Sequence, residues 1–187
     1  MKLNQWTVSS LLAAMLVMPA ASSFADVEVQ PQPEFASIAV EYQKAVNTYN
    51  IDEFVKTRLA DHLDLWMPLG IHIETPAQFK SYMLAMANMI GLGNGGAYHV
   101  DQPQVTERVY GGQDNVYSVG AMSEQVQFKG KASRSYSSNW VVHLQKQGGT
   151  WKVLGGVLQV DPKVFPQAEI DEYKAKIELA MAQKSQP

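Results

Sequence analysis

Three histidines stand two residues before a carboxylate in this sequence, His62 with Asp64, His72 with Glu74 and His99 with Asp101. On extended chain each pair would share a face and could hold a metal ion. No pair has clear ligand company, ordinary surface polarity explains all three, and no metal is assigned. Asp61 and Asp64 could be paired carboxylates of the glycosidase kind, although their spacing at a helix end suits solvated surface. Ser137-Ser138 with His143 lacks a nucleophile elbow, so a hydrolase triad has little support. Gly91 to Gly96 matches G-x-G-x-x-G, but a dinucleotide site needs a strand before the glycines and a helix after them. Here the order is reversed, the segment reads as a connector, and no cofactor is implied. His143 is the best single polar candidate, because a neutral imidazole can act as acid or base near neutral pH. Its competing reading is a histidine on the outer face of a sheet, or one satisfied by a neighbour.

The elements that must position these groups follow from periodicity. Phe35, Ile38, Ala39, Tyr42, Ala45, Val46 and Tyr49 recur at three and four, which predicts a first helix. Asp52-Glu53 opens a second, with Phe54, Val55, Leu59 and Leu63 as its apolar face. Leu63 to Met67 and Ile71 to Ile73 read as short strands around Pro68 and Gly70. Thr75-Pro76-Ala77-Gln78 is a capping box, Phe79, Met83, Met86 and Ile90 continue that helix, and Gly91 stops it. Trp66, Trp140 and the methionines at 83, 86 and 89 read as core or interface. From Tyr98 the period becomes two, and segments 97–110, 116–129, 132–146 and 150–161 predict four long antiparallel strands. Ile170, Tyr173, Ile177 and Ala180 form a last helical stripe, suited to the sheet or to a partner. The fold class is therefore α+β, an antiparallel sheet that buries one face against N-terminal helices, plus a C-terminal helix; a strongly bent sheet wrapped around those helices would be cone-like and enclose a pocket.

Composition narrows the function. The 187 residues contain no cysteine and carry a formal charge of −3 without a basic stripe, which disfavours a disulfide framework and nucleic-acid binding. Lys2, the apolar run Trp6–Met18 and Ser23-Phe24-Ala25 predict a signal peptide over 1–25, cleaved after Ala25, and hence a periplasmic or secreted protein. No later stretch is long and apolar enough for a membrane span. Residues 26–34 read as a flexible lead-in, 35–162 as one domain and 163–187 as a helical extension.

Two stretches carry a family resemblance. Ala60 to Gly70 (ADHLDLWMPLG) and Val141 to Val153 (VVHLQKQGGTWKV) resemble segments of the nuclear-transport-factor-2-like superfamily, which includes SnoaL-like and ketosteroid-isomerase-like domains. The likeness covers roughly residues 35–162. The isomerase's general-base aspartate would fall at Met67 and its second acid at Val141, while its tyrosine falls near Gln43, with Tyr42 one residue away. The usual isomerase chemistry is thus not implied. The resemblance instead places Asn139, Val141 and His143 together on the inward face of their strand. Tyr42, Leu65, Met67, Leu154 and Leu158 would complete a pocket for a small apolar molecule, in a domain that forms a homodimer through its outer sheet face. Two alternatives stay open: an isomerase, dehydratase or cyclase using His143 with Asn139 or Tyr42, and a non-catalytic protein-interaction domain.

Overall fold

A computed structural model describes residues 33–161 and 163–184. The expected leader, its cleavage site and the lead-in up to residue 32 lie outside them. The first apolar stripe forms α1 (Pro33–Thr48), which buries Ile38, Ala45 and Val46. Next comes α2 (Asp52–Arg58), tied to α1 by the Arg58 guanidinium, which donates to both Glu41 oxygens at 2.6 and 2.7 Å. It is shorter than the sequence suggested. Leu59 and Leu63 belong instead to β1 (Leu59–Met67), where Leu63, Leu65 and Met67 alternate inward. The Leu59/Leu63 spacing fits a helix as well as a strand, and a long-range partner decides between them.

A 3₁₀ turn at Pro68–Gly70 leads to β2 (Ile71–Ile73), which returns antiparallel along β1. The capping box then starts α3 (Pro76–Ile90): Gln78 N–H donates to Thr75 Oγ1 at 3.2 Å, and Glu74 N–H donates to Gln78 Oε1 at 2.6 Å. Gly91, at φ +81°, closes the helix in the left-handed conformation that glycine adopts without a Cβ penalty.

The segment expected as one strand over 97–110 is two, β3 (Ala97–Val100) and β4 (Gln104–Tyr110). Pro103, which has no N–H to donate, lies between them. Both pieces pair with the same edge of β5 (Asn115–Gln127), Ala97 opposite Gln127 and Gln104 opposite Ala121. The sheet continues through β6 (Arg134–Gln147) and β7 (Thr150–Val160) in the order β2-β1-β7-β6-β5-β3, with β4 also on β5. It is curved and mostly antiparallel. β1 runs parallel to β7, a pairing that no local pattern announces.

Helices α1 and α3 cover the inner face, and α1 also closes the β3 edge. Asn47 donates from Nδ2 to Val100 O and accepts from Val100 N–H, both at 2.8 Å, so a side chain stands where a strand would pair. The last stripe forms α4 (Gln167–Lys184), which packs on α3 and the 3₁₀ turn through Tyr173 and Ile177, both buried. None of the described helices is long and apolar enough to cross a membrane.

Candidate functional site

Strand alternation decides which side chains reach the space between sheet and helices. On β5 the inward set is Val116, Ser118, Gly120, Met122, Glu124 and Val126, so one carboxylate shares a face with apolar and small residues. Glu124 is only 4% exposed. An isolated carboxylate in such a place would cost several kcal/mol to bury, so its partners matter. The Tyr98 hydroxyl, from β3, donates to Oε2 and the Ser138 hydroxyl, from β6, donates to Oε1. Tyr136 stands directly opposite Glu124 on β6.

The cluster opens onto a hollow of about 110 Å³ whose other walls include Met83 and Met86 of α3, Met122 and Leu158. A second hollow of about 80 Å³ shares Tyr42, Met67, Met122 and Leu158 with the first and extends towards Phe54, Phe79 and Trp140. Tyr42, Tyr82, Tyr98 and Tyr136 all face the larger space. Burial raises the pKa of each phenol first, and the negative charge of Glu124 pushes in the same direction. All four are therefore neutral hydroxyls at physiological pH. The arrangement is an apolar chamber with one acidic spot and several OH groups, which can hold a molecule by its body and fix one polar end.

The residues expected at the site divide between two faces. Tyr42, Leu65, Met67 and Leu158 line the hollows. Leu154 lines neither and packs, partly buried, against the main core cluster. Asn139, Val141 and His143 do share a face, but it is the outer one, which corrects the expected inward orientation. The inward residues of β6 are Tyr136, Ser138, Trp140, Val142 and Leu144. Setting the register one residue out transfers every side chain to the opposite face. His143 stacks on the half-exposed Tyr117, ring centroids 4.5 Å apart, and its Nε2 lies 3.1 Å from Asn115 Oδ1. Partial burial lowers its pKa.

The other sequence candidates are dispersed. His72 Nε2 lies 2.9 Å from Asp64 Oδ1 at the surface, and His99 lies 3.3 Å from Asp101. Among the described residues no group of three or more His, Asp or Glu side chains is placed to hold a metal ion. The glycine-rich stretch joins α3 to β3.

No family model matches this sequence, and no curated protein matches it. Solved structures share its fold. A ketosteroid isomerase-like protein from Erwinia carotovora atroseptica is 17% identical, with TM-score 0.56 over 71% of this chain and 94% of that one. A protein of unknown function from Mycobacterium tuberculosis is 16% identical, with TM-score 0.54 over 80% of this chain and 88% of that one. An NTF2-like protein from Cytophaga hutchinsonii is 12% identical, with TM-score 0.51 over 68% and 95% of the two chains. This chain thus shares the fold of these ketosteroid isomerase-like and NTF2-like proteins.

Proposed function

We propose that this protein is an exported binding domain that takes a small, largely apolar molecule, bearing one polar group, into the hollow between its sheet and helices. The observation that carries the reading is the Glu124 carboxylate, 4% exposed and hydrogen-bonded by Tyr98 and Ser138 at the wall of an otherwise apolar space. A fold seeking stability alone gains more from filling such a space with hydrocarbon than from holding a carboxylate there. Export rests on the pattern of residues 1–25. Acid–base work of the isomerase or dehydratase kind would fall to Glu124 with Tyr98 and Ser138, because His143 points away from the hollow.

Naphthylethanol, an uncharged fluorescent probe, is expected to bind the wild-type protein saturably. Met83→Trp, which fills the hollow from α3, should weaken it about tenfold or more, since a blocked pocket forfeits well over 1.4 kcal/mol. His143→Ala should leave the affinity unchanged. Equal binding to the wild type and Met83→Trp would place the probe elsewhere and end this reading.

A specific row of residues supports a homodimer through the outer face. Trp66 is opposite Val157, Val157 opposite Val141, and Val141 opposite Val119, an apolar band in register across β1, β7, β6 and β5. Trp66, Val141 and Val157 are 44%, 45% and 37% exposed. Such contiguous apolar surface marks association sites, and a second copy offers the same band. Native mass spectrometry should show a dimer for the wild type and a monomer for Val141→Glu. A wild-type monomer at micromolar concentration would remove the proposal.

A further inference from the structure

Glu124 places a carboxylate at the wall of the hollow, and among the described residues hydroxyls but no cation meet it. Among the described residues no lysine, arginine or histidine forms an ion pair with it. Arg134, two residues from Tyr136 on the same strand, is committed to Glu169 through bonds of 2.8 and 3.1 Å. Lys131 reaches Tyr173 at 3.1 Å and Glu169 at 4.0 Å. The hydroxyls of Tyr98, Ser138 and Tyr136 satisfy three of the roughly four lone-pair directions of the carboxylate, which leaves room for one more donor. The surrounding walls suit a positive charge as well. Tyrosine faces carry negative quadrupole density and attract ammonium groups within about 6 Å, and Tyr42, Tyr82, Tyr98 and Tyr136 border the same space as the carboxylate.

We infer that the ligand of this hollow is an organic cation, a protonated amine on an aromatic or aliphatic body, whose ammonium group meets Glu124 and the tyrosine rings while its body lies against the methionines and leucines. The inference rests on the pocket-binding reading above and names the class of ligand that reading leaves open. An anion in the same place would confront the carboxylate across an apolar gap. A neutral carbonyl could accept from Tyr42 or Tyr82 but would leave the charge of Glu124 unbalanced. The ammonium group satisfies both requirements, because it supplies charge and donors at one point.

The test compares three probes with the same ring system: naphthylethylamine, cationic at pH 7, naphthylethanol, uncharged, and naphthylacetate, anionic. The amine should bind the wild type about tenfold or more tightly than the alcohol, the scale of one charge-assisted hydrogen bond with a cation–π contribution. The acetate should be the weakest of the three. Glu124→Gln, which keeps the shape and hydrogen bonding of the side chain but removes its charge, should bring amine and alcohol to equal affinity. Tyr98→Phe, which removes a donor but not the charge, should preserve the preference and serves if Glu124→Gln does not fold. Equal or tighter binding of the alcohol to the wild type overturns the cation assignment and leaves the pocket reading standing. If neither alcohol nor amine binds, the pocket reading falls too.

Discussion

Replacing Gly120 by alanine should lower stability by about 3 kcal/mol, the upper range for overpacking a fixed core, although the change adds a single methyl group. Gly120 lies on the inward face of β5 directly opposite Trp140 of β6. A Cβ built there would come within 2.1 Å of the indole Cζ2 and 2.4 Å of Gln104 O on β4. Neither neighbour yields easily. Trp140 is itself 6% exposed and packed with Val46, Val100 and Met122, while the Gln104 carbonyl belongs to the strand that pairs with this stretch of β5. For a domain of this size the loss corresponds to a melting temperature lower by roughly 10 °C. Trp140→Phe in the same chain should recover part of it, since the smaller ring vacates one obstruction but not the carbonyl, and a double-mutant cycle should show coupling above about 0.5 kcal/mol. Thermal denaturation of the four proteins reads both values. A neutral Gly120→Ala would mean that the indole does not lie against the strand, and with it the second hollow would have a different wall.

The order of elements was legible in the sequence because each has a local cause: the stripe of α1, the capping box of α3, the glycine at 91 and the turn glycines of the hairpins. The parallel partnership of β1 with β7 was not, since it joins segments distant in sequence and leaves no mark on either. The same lack of long-range information let Leu59 and Leu63 pass as a helical pair. At the site, the walls were readable and the polar centre was not. Tyr42, Met67 and Leu158 came from the expected architecture and do line the hollow. Glu124 belongs to no motif, because it stands alone on its strand, without a second carboxylate or a histidine beside it to mark chemistry. Its signal was present nonetheless. Val116, Met122, Val126 and Phe128 set an alternating inward face, and Glu124 falls on that face rather than between its members. On β6 the alternation of Trp140, Val142 and Leu144 already pointed inward. The likeness of residues 141–153 to a family segment points Val141 and His143 inward against that apolar pattern, and the apolar pattern is the one the strand follows.

Ile177→Asp should be more damaging than Gly120→Ala and should act on the hollow from a distance. The acidic and basic residues of α4 pair with each other at the surface, as Lys174 does with Glu178 and Lys176 with Glu172, and exposed pairs of this kind do little to hold a helix in place. What docks α4 is its apolar stripe. Ile177 is fully buried in the main core cluster, and Tyr173 stacks on Phe128 with ring centroids 4.8 Å apart. An aspartate at 177 either stays buried without a partner or pulls the helix away and exposes both anchors, each worth about 1.5–3 kcal/mol of burial. The expected loss is therefore about 4 kcal/mol by either route, at the upper end for single substitutions. Leu179→Asp, at a side chain 61% exposed on the same helix, is the control and should be near neutral. Because Tyr173 and Phe165 also border the larger hollow, binding of the naphthyl probe should weaken in Ile177→Asp under conditions where most of the protein remains folded. Urea denaturation and probe titration measure the two effects separately. Coincident unfolding curves for Ile177→Asp and Leu179→Asp would show that α4 adds nothing to this fold, and would return it to the role of a surface awaiting another protein.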